Sequence, residues 1–577
     1  MKKITNITIV GGGTAGFMTA TTLLNQFPDK KITLVESPNI STVGVGESTI
    51  PGINQWLSLV DIDYADFMPH CDATFKLSIG YEDWYRKDSG QNFHAPFGPL
   101  DLSQHDFGPP GKQEYYDDFT VRLNDWHLKR IFYPETPVRE YTEWFLPSMA
   151  LINQNKSFMM SGSNWFAAEE FRDHAAGNQG IHMDPRGNHD CVAFNNMDHA
   201  YQFDATKFGL WLRDNYCKAR YSNNFTHILA NVKDMPLNED GIEHLILDDG
   251  RKLNADLFID CTGFKSLLLT ETFGVSFEKF EDYIPNNYAW ATKMPYKDPE
   301  TQIVQYTNCT AVGNGWIWEI PLFSRMGTGY VFSDKFISVE DAQKEFKQEL
   351  IKKGYENVED LEYALIPMRC GVQEKLWVKN TCAMGLAAGF IEPLQSTGLT
   401  SVHIFIFNLC RALDRGYINE WDRREFTQKC HDDIKSLTSI VAITYALSHR
   451  DDTEYWRDLQ NREWPEDIFK GTTQGLSKYM RELYYNKNFD QDNHLIRFGN
   501  DTVPLMLVGM NWNPIDNASL KYRAPLDFYN NLKNTVDANN MASPRSRMEK
   551  RKIRWNEYVK GRPSPYQYLK DTIHNDK

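Results

Sequence analysis

A glycine-rich turn near the N-terminus constrains the fold of this chain more than any other feature. An apolar segment over residues 4–10 predicts a buried strand, and the turn 11–16 (GGGTAG) joins it to a segment of helical composition that stops at Pro28. A second apolar segment, 31–35, ends at Glu36. Strand, helix and strand in this order predict parallel strands joined by a crossover helix, and therefore an α/β fold.

The turn has the G-x-G-x-x-G spacing of a dinucleotide site. Gly11 permits a tight turn, Gly13 lets backbone amides approach a pyrophosphate at the helix N-terminus, and Gly16 allows close packing of the helix. Glu36 lies twenty residues after Gly16, where its carboxylate can accept hydrogen bonds from ribose hydroxyls. A second strand that runs into a glycine turn, residues 256–263, favours FAD over NAD. No second motif of this kind indicates a built-in nicotinamide site, so electrons are expected from outside.

Composition and charge exclude several classes of function. The formal net charge of -15 argues against general binding to nucleic acid or to an anionic membrane surface. No segment approaches the ~20 apolar residues that a membrane helix requires. Nine cysteines without a C-x-x-C pair or a Cys/His cluster indicate reduced thiols in the cytoplasm and no metal site.

The rest of the chain divides by its sequence pattern. Short alternating segments at 302–306, 316–320 and 329–333 predict antiparallel strands, and helical patterns follow residue 400. The predicted parts are a discontinuous core over 1–400, with substrate-side insertions at about 84–200 and 285–335, and a mainly helical part with a polar, basic tail over 401–577. The aromatic residues of the helical part could bury a partner surface in a homo-oligomer.

Five segments outside the glycine turn carry longer motifs. They are residues 46–51 (GESTIP), 73–77 (ATFKL), 199–205 (HAYQFDA), 315–321 (GWIWEIP) and 390–398 (FIEPLQSTG). These segments resemble flavin-dependent halogenases, in particular the tryptophan-halogenase type, whose W-x-W-x-I-P and F-x-x-P-x-x-S-x-G patterns the last two contain. Residues 46–51 resemble the family's strap between the flavin and substrate sites, and we call this segment the strap. The resemblance implies a Rossmann-like FAD-binding domain of the flavin monooxygenase type, an inserted antiparallel-sheet region and a C-terminal helical part.

The resemblance also implies a reaction. In that family reduced FAD comes from a separate flavin reductase and activates oxygen, and a halide ion (chloride, bromide or iodide) is oxidised to hypohalous acid. A lysine that matches Lys76 directs the acid to a small aromatic substrate of the indole or phenol type. The chemistry of Lys76 agrees, because an ammonium in the apolar segment 73–79 would be partly desolvated and poised as a donor or nucleophile. The alternative is a surface lysine whose stem is buried and whose charge lies in water.

Further site residues follow from the resemblance. The predicted FAD contacts are Gly11, Gly12, Gly13, Thr14, Ala15, Gly16, Glu36, Ser37, Val45, Glu47, Val232, Leu386 and Leu399. The amides of Thr397 and Gly398, at the N-terminus of a predicted helix, are the predicted halide ligands. Trp316 and Trp318 are expected to be structural walls near the flavin and not catalysts.

One position departs from the tryptophan-specific members of that family. Gln395 stands where they carry a glutamate that partners the lysine. An amide can orient Lys76 by hydrogen bonding, but it supplies no negative charge to a cationic ring intermediate. We therefore expect Gln395 to act beside Lys76 on an electron-rich phenol or substituted indole instead of tryptophan, with bromide or iodide favoured over chloride. Glu392 is assigned a structural role.

Two other functions stay open on the sequence. An aromatic hydroxylase shares the FAD fold, but such enzymes carry a Gly-Asp pair for the ribityl chain where residues 385–389 read GLAAG. Consumption of NADPH by the isolated protein would support that function. A flavin-binding protein without turnover would bind FAD and form no product with any halide.

Overall fold

The structure is a computed structural model that describes most of the chain. The described residues are 3–40, 44, 46–97, 136–143, 146–159, 199–465, 502–511, 552–553, 556–557 and 559–575. The chain groups into two compact units. The first comprises Met1–Thr74, Tyr201–Pro295 and Leu322–Val441, and the second comprises Phe75–Ala200, Tyr296–Pro321 and Ala442–Lys577. The division predicted from the sequence, with its boundary at residue 400, stays a prediction.

The regular elements are numbered along the chain. The strands are β1 (Asn6–Val10), β2 (Lys31–Glu36), β3 (Glu47–Ser48), β4 (Thr74–Lys76), β5 (Ser78–Glu82), β6 (Phe93–Pro96), β7 (Ala200–Phe203), β8 (Phe225–Leu229), β9 (Val232–Asp234), β10 (Leu237–Asn238), β11 (Gly241–Ile242), β12 (Leu245–Leu247), β13 (Lys252–Leu253), β14 (Leu257–Asp260), β15 (Phe277–Lys279), β16 (Tyr288–Met294), β17 (Tyr306–Val312), β18 (Gly315–Pro321), β19 (Met326–Phe332), β20 (Ala364–Pro367), β21 (Gly371–Gln373), β22 (Trp377–Val378), β23 (Thr381–Ala383) and β24 (Gly389–Phe390). The α-helices are α1 (Thr14–Gln26), α2 (Ile53–Leu59), α3 (Tyr64–Phe67), α4 (Arg139–Thr142), α5 (Leu146–Asn153), α6 (Ala205–Trp211), α7 (Ala219–Tyr221), α8 (Pro299–Gln302), α9 (Val339–Lys352), α10 (Gly398–Asp414), α11 (Glu420–Ala446), α12 (Glu454–Asn461), α13 (Thr502–Gly509) and α14 (Pro565–Tyr568).

A six-stranded sheet in the first unit carries the glycine turn. Its order is β22-β23-β14-β1-β2-β8, and all its strands except the edge strand β22 run parallel. Ile7, Ile9 and Leu34 are buried in it, as expected for parallel strands with both faces covered. Helix α1 joins β1 to the parallel strand β2 and contacts α10. The predicted strand-helix-strand opening and the Rossmann-like class are therefore confirmed.

The first unit also contains antiparallel sheets. Strand β16 pairs along its whole length with β19, from Tyr288 opposite Phe332 to Met294 opposite Met326, and on its other edge with β20. Helix α9 packs on this sheet through Phe346, whose ring lies 6.1 Å from that of Tyr330. Smaller sheets have the orders β10-β11, β13-β12-β9 and β15-β21-β24. The inserted antiparallel region is thus confirmed.

The second unit contains the sheet β18-β17-β5-β6. Strand β17 is antiparallel to β18 and parallel to β5, and β5 is antiparallel to β6. The predicted strand at 316–320 lies within β18. The predicted strand at 302–306 is wrong, because Asp298 caps the short helix α8 and Pro299 occupies its first turn, so that the strand begins only at Tyr306.

Helices dominate the described residues after position 398, as the sequence predicts. Helices α10 and α11 together cover most of residues 398–446. Within the ranges that the structure describes, no helix is both long and apolar enough to cross a membrane. The eight cysteines in those ranges are free thiols, and no cluster of three or more His, Cys, Asp or Glu side chains there could hold a metal ion.

Candidate active site

The glycine turn leaves the N-terminus of α1 without a capping side chain. Gly13 is the N-cap residue, and residues 11–15 are partly exposed. Gly11 has a φ of +118°, and a Cβ there would collide with the carbonyl oxygen of Cys261. A Cβ at Gly16 would collide with the carbonyl oxygen of Gly11. The chain therefore accepts only glycine at these two positions, and the uncapped amides suit an anionic group.

Glu36 lies at the end of β2, directly beside this turn. A Cβ at Gly12 would collide with the Glu36 side chain. Oε2 of Glu36 accepts a 2.7 Å hydrogen bond from Nε2 of His227 and lies 4.0 Å from a guanidinium nitrogen of Arg213. Among the described residues no donor reaches Oε1. One carboxylate oxygen is thus fixed by the protein, and the other is left for a ligand hydroxyl.

The other predicted cofactor residues have varied surroundings. The Ser37 hydroxyl donates to Oδ1 of Asn231 at 2.7 Å, and that of Thr14 donates to the carbonyl of Ala205 at 2.8 Å. Val232 begins β9 and packs against two hydrophobic clusters. Val45 lies outside the described residues. The two hydroxyls are therefore used within the protein, whereas the role of Val232 stays a prediction.

The N-terminus of α10 carries the predicted halide ligands. Ser396 is in the left-handed conformation with a φ of 55°, Thr397 is the N-cap residue, and Gly398 opens a helix of 17 residues. The Thr397 hydroxyl is buried, and it has no hydrogen-bond partner in the described part of the chain. The Ser396 hydroxyl donates to that of Ser48 at 3.1 Å. A Cβ at Gly398 would lie 2.8 Å from Oε1 of Glu47, so the strap contacts this helix end.

A buried imidazole lies on the same helix. His403 is 2% exposed, and neither ring nitrogen has a hydrogen-bond partner among the described residues. Burial lowers the pKa of His403 to about 3, so the ring is neutral at neutral pH. It lies next to the strap, since a Cβ at Gly52 would be 3.2 Å from Cε1 of His403. The ring also packs edge-on against Phe407, with centroids 5.6 Å apart.

Lys76 ends strand β4 and is fully buried, with 0% exposure. Its Nζ lies 5.3 Å from the centre of the Phe97 ring, a distance at which the π face attracts an ammonium. The preceding Phe75 packs against the rings of Phe158, at 5.1 Å, and Tyr568, at 6.4 Å. The alternative of a surface lysine is therefore excluded.

The two predicted tryptophan walls lie on β18 in the second unit. Trp316 and Trp318 are buried, with ring centroids 6.1 Å apart. The Nε1–H of Trp316 has no acceptor among the residues that the structure describes. By contrast, the neighbouring Trp84 donates to the carbonyl of Cys309 at 3.0 Å. Their role as walls stays a prediction.

Comparisons with known proteins decide the family. The family profile described as Tryptophan halogenase matches residues 6–133 and 121–495. The chain belongs to the tryptophan halogenase family. Tryptophan 6-halogenase SttH from Streptomyces toxytricini is 32% identical over 465 residues, 80% of this chain and 82% of that protein. The apo structure of VirX1 has a TM-score of 0.80 and 31% identity, covering 99% of this chain and 100% of that chain. BrvH, a flavin-dependent halogenase from Brevundimonas sp. BAL3, has a TM-score of 0.73 and 25% identity, covering 99% of each chain.

This protein is a flavin-dependent halogenase, because it belongs to this family. The family match therefore favours halogenation over the hydroxylase alternative. Its family uses FAD and a halide ion, and the first unit offers surroundings that fit both. A 3-10 turn, Gly385–Ala387, lies against the glycine turn, since a Cβ at Gly385 would be 2.6 Å from that of Ala15. Leu386 in this turn is 41% exposed, and the turn contacts α10, where Leu399 is buried in the first helical turn. The first unit thus brings together the uncapped amides, Leu386 and the residues predicted to bind halide.

Gln395 of the halogenase lies in a 3-10 turn, Pro393–Gln395, directly before these halide residues. Its side chain is 4% exposed. Glu392 is fully buried and accepts a 3.0 Å hydrogen bond from Asn286, which agrees with a structural role.

Sequence reasoning missed an ionic cluster at the approach to the strap. Arg325 donates to Asp72 and Asp204, each at 2.8 Å, and to the carbonyl of Gly44 at 3.1 Å. The three charged side chains are 15%, 5% and 8% exposed. Asp204 lies in the segment 199–205, but no motif signals the cluster as a whole, because its members are scattered along the sequence and meet only through the fold. His227 and Arg213, beside Glu36, were missed for the same reason.

Proposed function

We propose that this halogenase brominates or iodinates an electron-rich aromatic ring, a phenol or a substituted indole, with Lys76 as the directing residue. Reduced FAD is supplied by a separate flavin reductase. The observation that carries the proposal is the complete burial of Lys76 beside the Phe97 ring. The free thiols fit a cytoplasmic protein, and a homo-oligomer stays a prediction.

The residues of the glycine turn hold the cofactor in this proposal. The amides at the start of α1 bind the pyrophosphate, and Oε1 of Glu36 accepts from a ribose hydroxyl while His227 fixes the other oxygen. Reduced FAD, when bound, would supply two electrons to oxygen, and the oxygen activated in this way would remove two electrons from the halide. The exposed Leu386 covers an apolar part of the cofactor, because an apolar side chain left exposed beside a binding turn gains by burial against a ligand.

The N-terminus of α10 binds the halide. The partial positive charge of a helix N-terminus attracts an anion, and the amides of Thr397 and Gly398 are the donors. The buried Thr397 hydroxyl, which has no hydrogen-bond partner among the described residues, supports a ligand at this place, since buried polar groups are rarely left unsatisfied. Glycine at 398 keeps this end open, as a side chain would press on Glu47.

Lys76 acts on hypohalous acid. A buried ammonium donates a hydrogen bond to the oxygen of the acid and polarises the oxygen–halogen bond, and the absence of water strengthens this interaction. The oxygen–halogen bond breaks as a carbon–halogen bond forms, the ring loses a proton, and water leaves. Phe97 holds Nζ in place through its π face.

The substrate class follows from Gln395. A carboxamide supplies no negative charge, so a cationic ring intermediate receives less electrostatic stabilisation than beside a carboxylate. The cationic intermediate of an electron-rich ring needs less electrostatic stabilisation. We therefore expect Gln395→Glu to improve turnover of tryptophan relative to phenols, measured as the ratio of kcat/KM values for the two substrates.

The test uses the purified protein with FAD, a flavin reductase, halide, and a panel of indoles and phenols, with products read by mass spectrometry. Lys76→Ala is expected to abolish halogenated product while FAD binding is retained. Lys344→Ala, which removes an exposed lysine on α9, is the matched control and is expected to keep full activity. Product formation by Lys76→Ala at the wild-type rate would refute the role of Lys76, and no product from the wild type with any halide would favour a flavin-binding protein without turnover.

A further inference from the structure

The strap reaches the halide helix through a fixed backbone. Strand β3 pairs antiparallel with β7, with Glu47 opposite Phe203 and Ser48 opposite Gln202. Thr49 continues the pairing, because its amide and its hydroxyl both donate to the carbonyl of Tyr201, at 3.0 and 2.8 Å. This end of the strap therefore sets where Glu47 and Ser48 stand against Gly398 and Ser396.

The described residue before the strap, Gly44, is held by a charged group. The guanidinium of Arg325 contacts Asp72, Asp204 and the carbonyl of Gly44, two residues before the strap. Asp72 is fixed in turn by the amide and hydroxyl of Ser324, at 2.9 and 2.6 Å. Asp204 is fixed as the N-cap of α6, since it accepts from the amide of Lys207 at 3.1 Å.

Gly44 and Gly46, the two described residues directly before Glu47, are both restricted positions. A Cβ at Gly44 would lie 2.7 Å from the Thr206 hydroxyl and 3.1 Å from Oδ1 of Asp204. Gly46 has a φ of +133°, a conformation that residues with a Cβ rarely adopt. Only three peptide bonds separate the Gly44 carbonyl from Glu47, so the position of this carbonyl bears directly on where the strap begins.

We propose that Arg325 is a positioning residue for halide binding. Arg325 holds the Gly44 carbonyl, and the position of this carbonyl sets, through the strap, the contacts of Glu47 and Ser48 with the N-terminus of α10. This inference rests on the proposed halide site at Thr397 and Gly398. A planar fork with several donors serves three acceptors at once, whereas a lysine ammonium offers one compact charge and cannot reproduce that geometry.

Two variants disturb the contact between Arg325 and Gly44, one by changing the side chain that donates and the other by changing the residue that accepts. Arg325→Lys keeps the positive charge between the two buried carboxylates but weakens the hydrogen bond to the carbonyl of Gly44. Gly44→Ala keeps all charges and forces the backbone away from Thr206. The matched controls are Arg415→Lys, which alters another Arg–Asp pair of the first unit, and Gly561→Ala, where a Cβ has no atom within 4 Å.

Halide binding is read in two ways. The first is the bromide concentration that gives half of the bromide-dependent rise in Tm, with ionic strength held constant by acetate, and the second is the KM for bromide. Both are expected to increase about 10-fold in Arg325→Lys and Gly44→Ala, the order expected when a hydrogen bond to an anion is weakened. The kcat at saturating bromide is expected to change far less, and both controls are expected to behave as the wild type.

The outcomes separate this inference from the proposed function. If either folded variant binds bromide as the wild type does, or loses Tm and kcat without a change in KM, Arg325 is only structural and the inference is refuted. If the wild type itself forms no halogenated product and shows no bromide-dependent rise in Tm, the proposed function fails and the inference falls with it.

Discussion

Replacing His403 by phenylalanine is expected to weaken the dependence of stability on acid pH. Burial lowers the pKa of His403 from 6.5 to about 3 in the folded protein. In the unfolded chain the imidazole titrates near its ordinary value, so between these two values the unfolded chain binds a proton that the folded protein does not. The free energy of unfolding therefore falls as the pH falls from 6.5 towards 3.

The size of the effect follows from the two pKa values. Each pH unit between them costs about 1.4 kcal/mol of stability. At pH 5 the loss through His403 relative to pH 8 is therefore about 2 kcal/mol. His94, in the second unit, adds a similar dependence because burial lowers its pKa to about 4. That contribution is the same in wild type and variant, and it cancels in the difference between them.

Urea titrations at a series of pH values, followed by tryptophan fluorescence, measure this difference. The gap in unfolding free energy between wild type and His403→Phe is expected to change by about 2 kcal/mol from pH 8 to pH 5. Phe407→Leu is the control, because it alters packing against the same ring without removing a titrating group, and it should keep the wild-type slope. If His403→Phe has the same pH slope as the wild type, the imidazole is protonated in the folded protein and the argument from its burial is wrong.

Three further predictions concern the turn, the halide helix and the tryptophans. Gly11→Ala is expected to weaken FAD binding about 10- to 100-fold, measured by quenching of FAD fluorescence, because a strained φ adds to the collision with Cys261. Thr397→Val is expected to raise the KM for bromide about 3- to 10-fold through loss of one hydrogen-bonding group, while the Kd for FAD stays unchanged. Trp316→Phe is expected to cost about 1 kcal/mol less stability in urea titrations than Trp84→Phe, because among the described residues only Trp84→Phe removes a hydrogen bond and leaves the Cys309 carbonyl without its donor; equal costs would contradict this.

The sequence was most informative where backbone geometry demands particular residues. Gly11 and Gly16 were recognisable because a turn between a parallel strand and a helix leaves no room for a Cβ, and the order of β1, α1 and β2 followed from that turn. The strand predicted at 302–306 failed for a related reason: Asp298 and Pro299 begin a helix, and this local signal was weaker than the apparent alternation.

Residues whose role depends on tertiary contacts could not be found in this way. The cluster of Arg325, Asp72 and Asp204 is assembled from distant segments, and each residue alone is an ordinary charged side chain. The same holds for His403, since its position in an apolar helix was visible but the lack of partners for its ring was not. Lys76 was predicted only from its resemblance to a family, and its burial could be learned only from the fold.

The packing of Phe75 has a consequence for how this enzyme matures during synthesis. Phe75, the residue before Lys76, packs against Tyr568. Most of the length of the sequence separates Phe75 from Tyr568. The neighbouring Phe158 is tied to the same late segment, because Arg562 donates to the carbonyls of Ser157 and Phe158. Contacts between such distant positions form late. During synthesis the six-stranded sheet can therefore be complete while Phe75 and Phe158 still lack their contacts with Tyr568 and Arg562.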